Sequence, residues 1–276
     1  MDREAVVSAI REIGAHGVLC LEEDDPQYWA VLRVSRAHGP GLAAVLAVLN
    51  ALASYRLAMR GEDWWSCWAE HMERARPAGL PGAVAAEIEF LDRCRGAAIQ
   101  REAKKRRVLR AGREARTALQ RLLENPLSVL DSAAWLVEAL SRALRASPRS
   151  KTIVFAAKMA YYAARAAGAR RLGPWDVDIP VDVRVACFLY STGLARARSY
   201  RDLVSRPEQA QQAVRRLAAA TGIPPINLDT IFWRTGWIPR DLEPVRWEEA
   251  ALQVLGRCAS PSAARALARS FRARCR

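Results

Sequence analysis

The sequence predicts an all-α protein. Its 14 prolines and 15 glycines fall mostly between apolar-periodic stretches rather than inside them. Few segments show the period-two alternation of a half-buried strand, whereas many repeat apolar residues at three and four. At 276 residues, half of them hydrophobic, the chain can bury a sizeable core as one large or two modest domains.

Asp2 to about Ile13 reads as a short amphipathic helix stopped by Gly14 and Gly17. The segment LEEDDPQYWAVLRVSRAHG then places Pro26 at the first helical position, with Asp24 and Asp25 before it and Gly39 after its end. Gln27 sits in that first turn, where it is either solvated or a pocket residue. Gly41 to Leu57 is apolar on nearly all sides and is expected to be a buried helix.

A helix starting near Glu62 carries Trp64, Trp65 and Trp68. Trp64 and Trp65 point about 100° apart on a helix, so three tryptophans exceed one core stripe. Lateral core packing and pocket lining both remain open for each. Ala83 to Cys94 reads as a further amphipathic helix, and Arg101 to Leu123 as one long basic helix with charge on most of its circumference. Leu127 to Leu144 is strongly periodic, and RASPRSKT joins it to a helix beginning at Lys151. This pair outlines a helix–hairpin–helix whose connector offers backbone N–H groups, Ser147, Ser150 and Arg149 to a phosphate.

In the helix after Ser150, residues Lys151, Phe155, Lys158 and Tyr162 are four, three and four apart and share one stripe. Only Lys104, Lys105, Lys151 and Lys158 among the 43 basic residues are lysine. Arginine does not release its proton in proteins, whereas lysine can, so lysine in an arginine-rich chain suits a reactive amine of the Schiff-base kind. An ordinary surface lysine at a helix start fits the sequence equally well. Asp182 follows the extended segment DIPV and precedes VRVACFLYSTG, the position of an N-cap, where the helix dipole favours negative charge. It is either a cap alone or a carboxylate that also stabilises a cationic transition state.

ARSYRDLVSRPEQAQQAVRRLAAATG contains at least one helix ending at Gly222, and a new helix starts after the paired prolines 224 and 225. There Asp229 and Trp233 are four apart on one face, which suits a purine that is both stacked and hydrogen-bonded, or a cap beside a core tryptophan. Glu248 to Arg276 reads as an arginine-rich closing helix.

A formal charge of +14 and a pI near 10.3 point to a polyanionic partner. Nucleic acid fits better than membrane, because no apolar run approaches the roughly 18 residues that span a bilayer and MDREAVVSAIRE is no signal peptide, so the expected location is the cytoplasm. Cysteines 20, 67, 94, 187, 258 and 275 form no CxxC pair, and His16, His38 and His71 show no ligand spacing. Metal chemistry is therefore not expected, no cofactor is called for, and most cysteines are expected to be small buried hydrophobes.

Taken together, DPQY at 25–28, LNALASYRL at 49–57, GEDWW at 61–65, SKTIVFAAK at 150–158, DIPVDVRVA at 178–186 and GIPPINLDTIFW at 222–233 resemble the archaeal GO glycosylase family. These are 8-oxoguanine DNA glycosylase/lyases, a branch of the helix–hairpin–helix superfamily. The resemblance implies two helical subdomains with the active site in the cleft between them: 40–160, ending in the hairpin, and 1–39 with 161–276. It also implies Lys151 as the Schiff-base lysine, Asp182 as the catalytic aspartate, Phe155 and Trp233 sandwiching the flipped base, and Gln27, Trp65, Lys158 and Asp229 lining its polar edge. A monomer acting on 8-oxoguanine DNA in base excision repair is the implied function. The hairpin departs from the superfamily in lacking the Gly-rich LPGVG, and no four-cysteine cluster occurs. The alternatives are a related glycosylase for another damaged base and a non-catalytic helical DNA-binding protein, which forms no borohydride-trapped adduct.

Overall fold

The structure, a computed structural model, describes residues 2–275. Met1 and Arg276, the latter the end of the expected closing helix, lie outside the described residues. Among the described residues every regular element is helical, and no helix is long and apolar enough to cross a membrane. The chain divides into two compact units, Asp24–Val177 and the combination of residues up to Glu23 with Asp178 onward. This boundary differs from the expected 40–160, because the helix after Asp25 packs on three helices of the central unit.

The helix from Asp2 breaks at Gly14, as expected, and a second helical segment, not expected from the sequence, runs on through Gly17 to Glu23; α1 (Asp2–Glu23) denotes the two together. Gly14 absorbs a kink at φ 62°, ψ −177°, a conformation that glycine adopts without strain, and the helix resumes. Buried Val6, Ile10, Val18 and Leu21 hold α1 in its unit on both sides of the kink.

In the Asp24–Val177 unit, α2 (Pro26–His38) begins as expected: Asp25 is the N-cap and its side chain accepts the Gln27 N–H. Helix α3 (Pro40–Ala53) is the core element, with every residue from Ala43 to Ala53 buried. It ends earlier than the expected Leu57, and residues 54–60 turn back through Arg56 at φ 45°. Helices α4 (Gly61–Arg74) and α5 (Gly79–Arg93) follow.

The expected single basic helix is two, α6 (Arg101–Glu114) and α7 (Arg116–Glu124), broken at Ala115. Its charge is not all solvated. Lys104 is buried, its ammonium donating to the carbonyls of Ile99 at 2.7 Å and Arg56 at 3.3 Å and lying 5.4 Å from the Tyr55 ring centroid. Helices α8 (Ala134–Leu144) and α9 (Lys151–Ala166) form the hairpin, and α9 lies along α3.

The other unit contains α1 with α10 (Val183–Ser191), α11 (Tyr200–Ser205), α12 (Pro207–Thr221), α13 (Pro225–Thr235), α14 (Ile238–Asp241), α15 (Trp247–Leu255) and α16 (Pro261–Arg269). The expected closing helix is thus two helices and a tail, interrupted by the turn at Gly256–Cys258 and restarted at Pro261. The cysteines also depart from expectation. Cys20 pairs with Cys258 and Cys187 with Cys275, so four of the six are cross-linked rather than free hydrophobes. Cys67 and Cys94 are free thiols, their sulfurs 3.8 Å apart.

Candidate active site

Helix α9 turns the expected spacing into a graded stripe. Lys151 is exposed at its first position, Phe155 is half-buried one turn on, and Lys158 and Tyr162 are buried. The Lys158 ammonium lies 5.1 Å from the Tyr162 ring centroid. Beside Lys151, the Thr152 hydroxyl accepts from the Arg107 guanidinium at 2.6 Å, which brings one cation of the basic helix α6 to the head of α9. In the connector, the Arg149 N–H donates to the Ser147 hydroxyl and the Ser150 N–H to the Ser147 carbonyl. Two of the N–H groups expected to meet phosphate are therefore used within the turn.

The three tryptophans of α4 are all buried but face different neighbours. Trp64 meets Phe90 edge-on, with ring centroids 4.8 Å apart. Trp68 donates its indole N–H to Glu87 at 3.0 Å. Trp65 touches both Trp68 and Phe155, at 5.2 and 5.9 Å, so it is the one that reaches the stripe on α9. Aromatic pairs in such edge geometry contribute about 0.5–1.5 kcal/mol beyond area burial, enough to fix the Phe155 ring.

Gln27 is buried, not solvated. Its N–H is held by Asp25 Oδ1, and Tyr162 donates to Oδ2 of the same carboxyl group at 2.8 Å. Tyr28 meets the Tyr162 ring edge-on at 5.7 Å. Gln27, Trp65, Phe155 and Lys158 therefore belong to one packed group on α2, α4 and α9. Asp25 and Tyr162 are its links. Sequence marked Asp25 as a cap through Asp-Pro, but its second partner lies 137 positions away and leaves no local signal.

The remaining three expected residues lie in the other unit. Asp182 caps α10, its Oδ1 accepting from the N–H groups of Arg184 at 2.9 Å and Val185 at 3.0 Å. Asp182 itself is half-buried. On α13, Asp229 is buried and Trp233, one turn later, is half-buried. Phe188 of α10 stacks on Phe232 of α13 with centroids 4.4 Å apart. Arg184, in the first turn of α10, lies over the Trp233 ring near the end of α13 at 4.2 Å. Nothing in the sequence distinguishes Arg184 from the many other arginines.

With this geometry in hand, the chain matches the profile of the N-glycosylase/DNA lyase family AGOG over residues 7–265. The chain belongs to the AGOG family. An N-glycosylase/DNA lyase of Aeropyrum pernix is 47% identical over 92% of this chain and 89% of its own length. One from Pyrobaculum aerophilum is 33% identical over 93% and 96%. Among solved structures, the 8-oxoguanosine complex of Pa-AGOG, the 8-oxoguanine DNA glycosylase of Pyrobaculum aerophilum, superposes with a TM-score of 0.78 at 30% identity, covering 99% of this chain and 97% of that one. The all-helical architecture is thus that of the AGOG glycosylases, and the activity class is DNA N-glycosylase and lyase.

Proposed function

We propose that this AGOG protein excises 8-oxoguanine from DNA with Lys151 as nucleophile and Asp182 as electrostatic partner. The substrate rests on one observation, the likeness across nearly the whole chain to a glycosylase solved with 8-oxoguanosine. The nucleotide is swung out of the stack, and the unstacking cost of a few kcal/mol is offset by aromatic stacking and hydrogen bonds to the base edge. A neutral Lys151 amine attacks C1′ as the bond from C1′ to N9 breaks and the electron pair leaves with the base. Asp182 stabilises the positive charge that develops on the sugar. Ring opening gives the Schiff base; loss of a C2′ proton then expels the 3′ phosphate and nicks the strand.

Phe155 and Trp233 offer stacking surfaces, while Gln27, Trp65, Lys158 and Asp229 serve the base. Guanine has an acceptor at N7 where 8-oxoguanine has an N–H donor. The Gln27 side-chain carbonyl, or a backbone carbonyl, is the acceptor that tells them apart, and Asp229 accepts from the N1–H and N2–H₂ edge common to both. The proposed working form is a monomer on cytoplasmic, nucleoid DNA.

Single-turnover excision on one 8-oxoguanine duplex and strand cleavage on one abasic duplex test the assignment. Gln27→Ala should slow excision roughly 5- to 150-fold, the effect of one lost buried hydrogen bond. Its abasic reaction should be spared. Equal loss in both reactions would move Gln27 from base recognition to folding or DNA docking.

A further inference from the structure

Arg184 touches both halves of the chemistry in its unit. Its backbone N–H donates to Asp182 Oδ1 at 2.9 Å, and its guanidinium carbon lies 4.2 Å from the Trp233 ring centroid. Its carbonyl oxygen packs against Gly236 so closely that a Cβ there would come within 2.1 Å of it. The Arg184 backbone is therefore held on one side by the catalytic cap and on the other by the end of α13. Its side chain cannot leave the indole by a backbone shift without moving Asp182.

A planar ring has two faces; Arg184 lies over one face of the half-buried Trp233, so a base that stacks on this ring takes the other. A cation on one face of an indole draws π density toward itself. The opposite face becomes less electron-rich and stacks better on an electron-rich ring. Oxidation at C8 makes 8-oxoguanine more electron-rich than guanine. We propose that Arg184 is a specificity-determining residue, whose guanidinium fixes the Trp233 plane and polarises it as the stacking surface for 8-oxoguanine. The inference rests on Trp233 being that surface. A lysine cannot replace it, because an ammonium is a compact charge that does not lie flat on an indole.

The test is a double-mutant cycle with Arg184→Gln, Arg184→Lys, Trp233→Ala and the pair Arg184→Gln/Trp233→Ala. Each protein is assayed for single-turnover release of 8-oxoguanine and for cleavage of an abasic duplex, which needs no base stacking and reports folding and Asp182. Both Arg184 variants should lose roughly 3- to 30-fold in excision, the span between an exposed and a desolvated cation–π contact. Abasic cleavage should stay within about twofold, and Arg184→Gln should add nothing once Trp233 is gone. Unchanged or faster excision, an equal loss on abasic DNA, or full additivity would overturn the role of Arg184. Normal excision by Trp233→Ala would instead remove the stacking reading itself; impaired Trp233→Ala beside normal Arg184→Gln removes only this inference.

Discussion

Tyr162 donates its hydroxyl to Oδ2 of Asp25 at 2.8 Å, and Oδ1 of the same group holds the Gln27 N–H at 2.8 Å. One buried carboxyl group thereby ties the inner end of the α9 stripe to the first turn of α2, which carries Gln27. Tyr162→Phe keeps the ring and its packing but strips Asp25 of one partner, a change that costs about 1–3 kcal/mol. A lower midpoint in thermal unfolding is expected, together with slower 8-oxoguanine excision than abasic cleavage. An unchanged melting curve would mean that the bond carries no stability.

Glu87 is fully buried, and burial pushes its carboxyl up to about 8, against the Trp68 indole N–H, which lowers it. The folded state therefore keeps a proton that the unfolded chain releases near 4.5. Stability from this group is full below about pH 4.5, falls by up to about 1.4 kcal/mol per pH unit as pH rises, and levels off above about 8. Glu87→Gln should remove that slope. Urea unfolding of both proteins at pH 5, 6, 7 and 8 isolates it as a difference, since other titrations cancel; a constant difference would sink the assignment.

The two disulfides fasten α1 to the turn at 256–258 and the C-terminal tail to α10. Removing either, by Cys20→Ser or Cys275→Ser, should destabilise by about 2–5 kcal/mol. Thiol titration of the denatured, unreduced protein should find only Cys67 and Cys94. In the native protein Cys67 should react slowly, because burial raises its pKa to about 11. Six reactive thiols without reductant would contradict both bridges.

Gly236→Ala puts a Cβ within 2.1 Å of the Arg184 carbonyl, which is backbone and cannot swing aside. The start of α10 has to move, with Asp182 on it. A destabilisation of about 1–3 kcal/mol is expected, with abasic cleavage and 8-oxoguanine excision falling together. Wild-type rates and melting would show that the two helices have slack at this contact.

Local chemistry was legible in the sequence. Asp25 before Pro26 and Asp182 before an apolar run announced their caps, and the four-three-four spacing on α9 announced the stripe. What escaped depends on partners far along the chain. Gly14 ends the first helical segment as its sequence signals, but Gly17 does not stop the second, which runs to Glu23 with Val18 and Leu21 buried. Nothing in the sequence separates Lys104 from the other cations of its basic run; its burial depends on the carbonyl oxygens of Arg56, in the turn at 54–60, and of Ile99. Cys20 and Cys258 are separated by 238 positions and share no motif. The roles of Gln27 and Trp65 came from family resemblance, since periodicity left both open.

The central claim is that the amine at the head of α9 is the nucleophile. Borohydride trapping on an 8-oxoguanine duplex, followed by peptide mapping of the reduced adduct, tests it most directly. The DNA remnant should sit on Lys151, and Lys151→Gln should lose both adduct and base release while still binding DNA, since one of 43 basic side chains is gone. An adduct on Lys158, or trapping that survives in Lys151→Gln, would contradict the account.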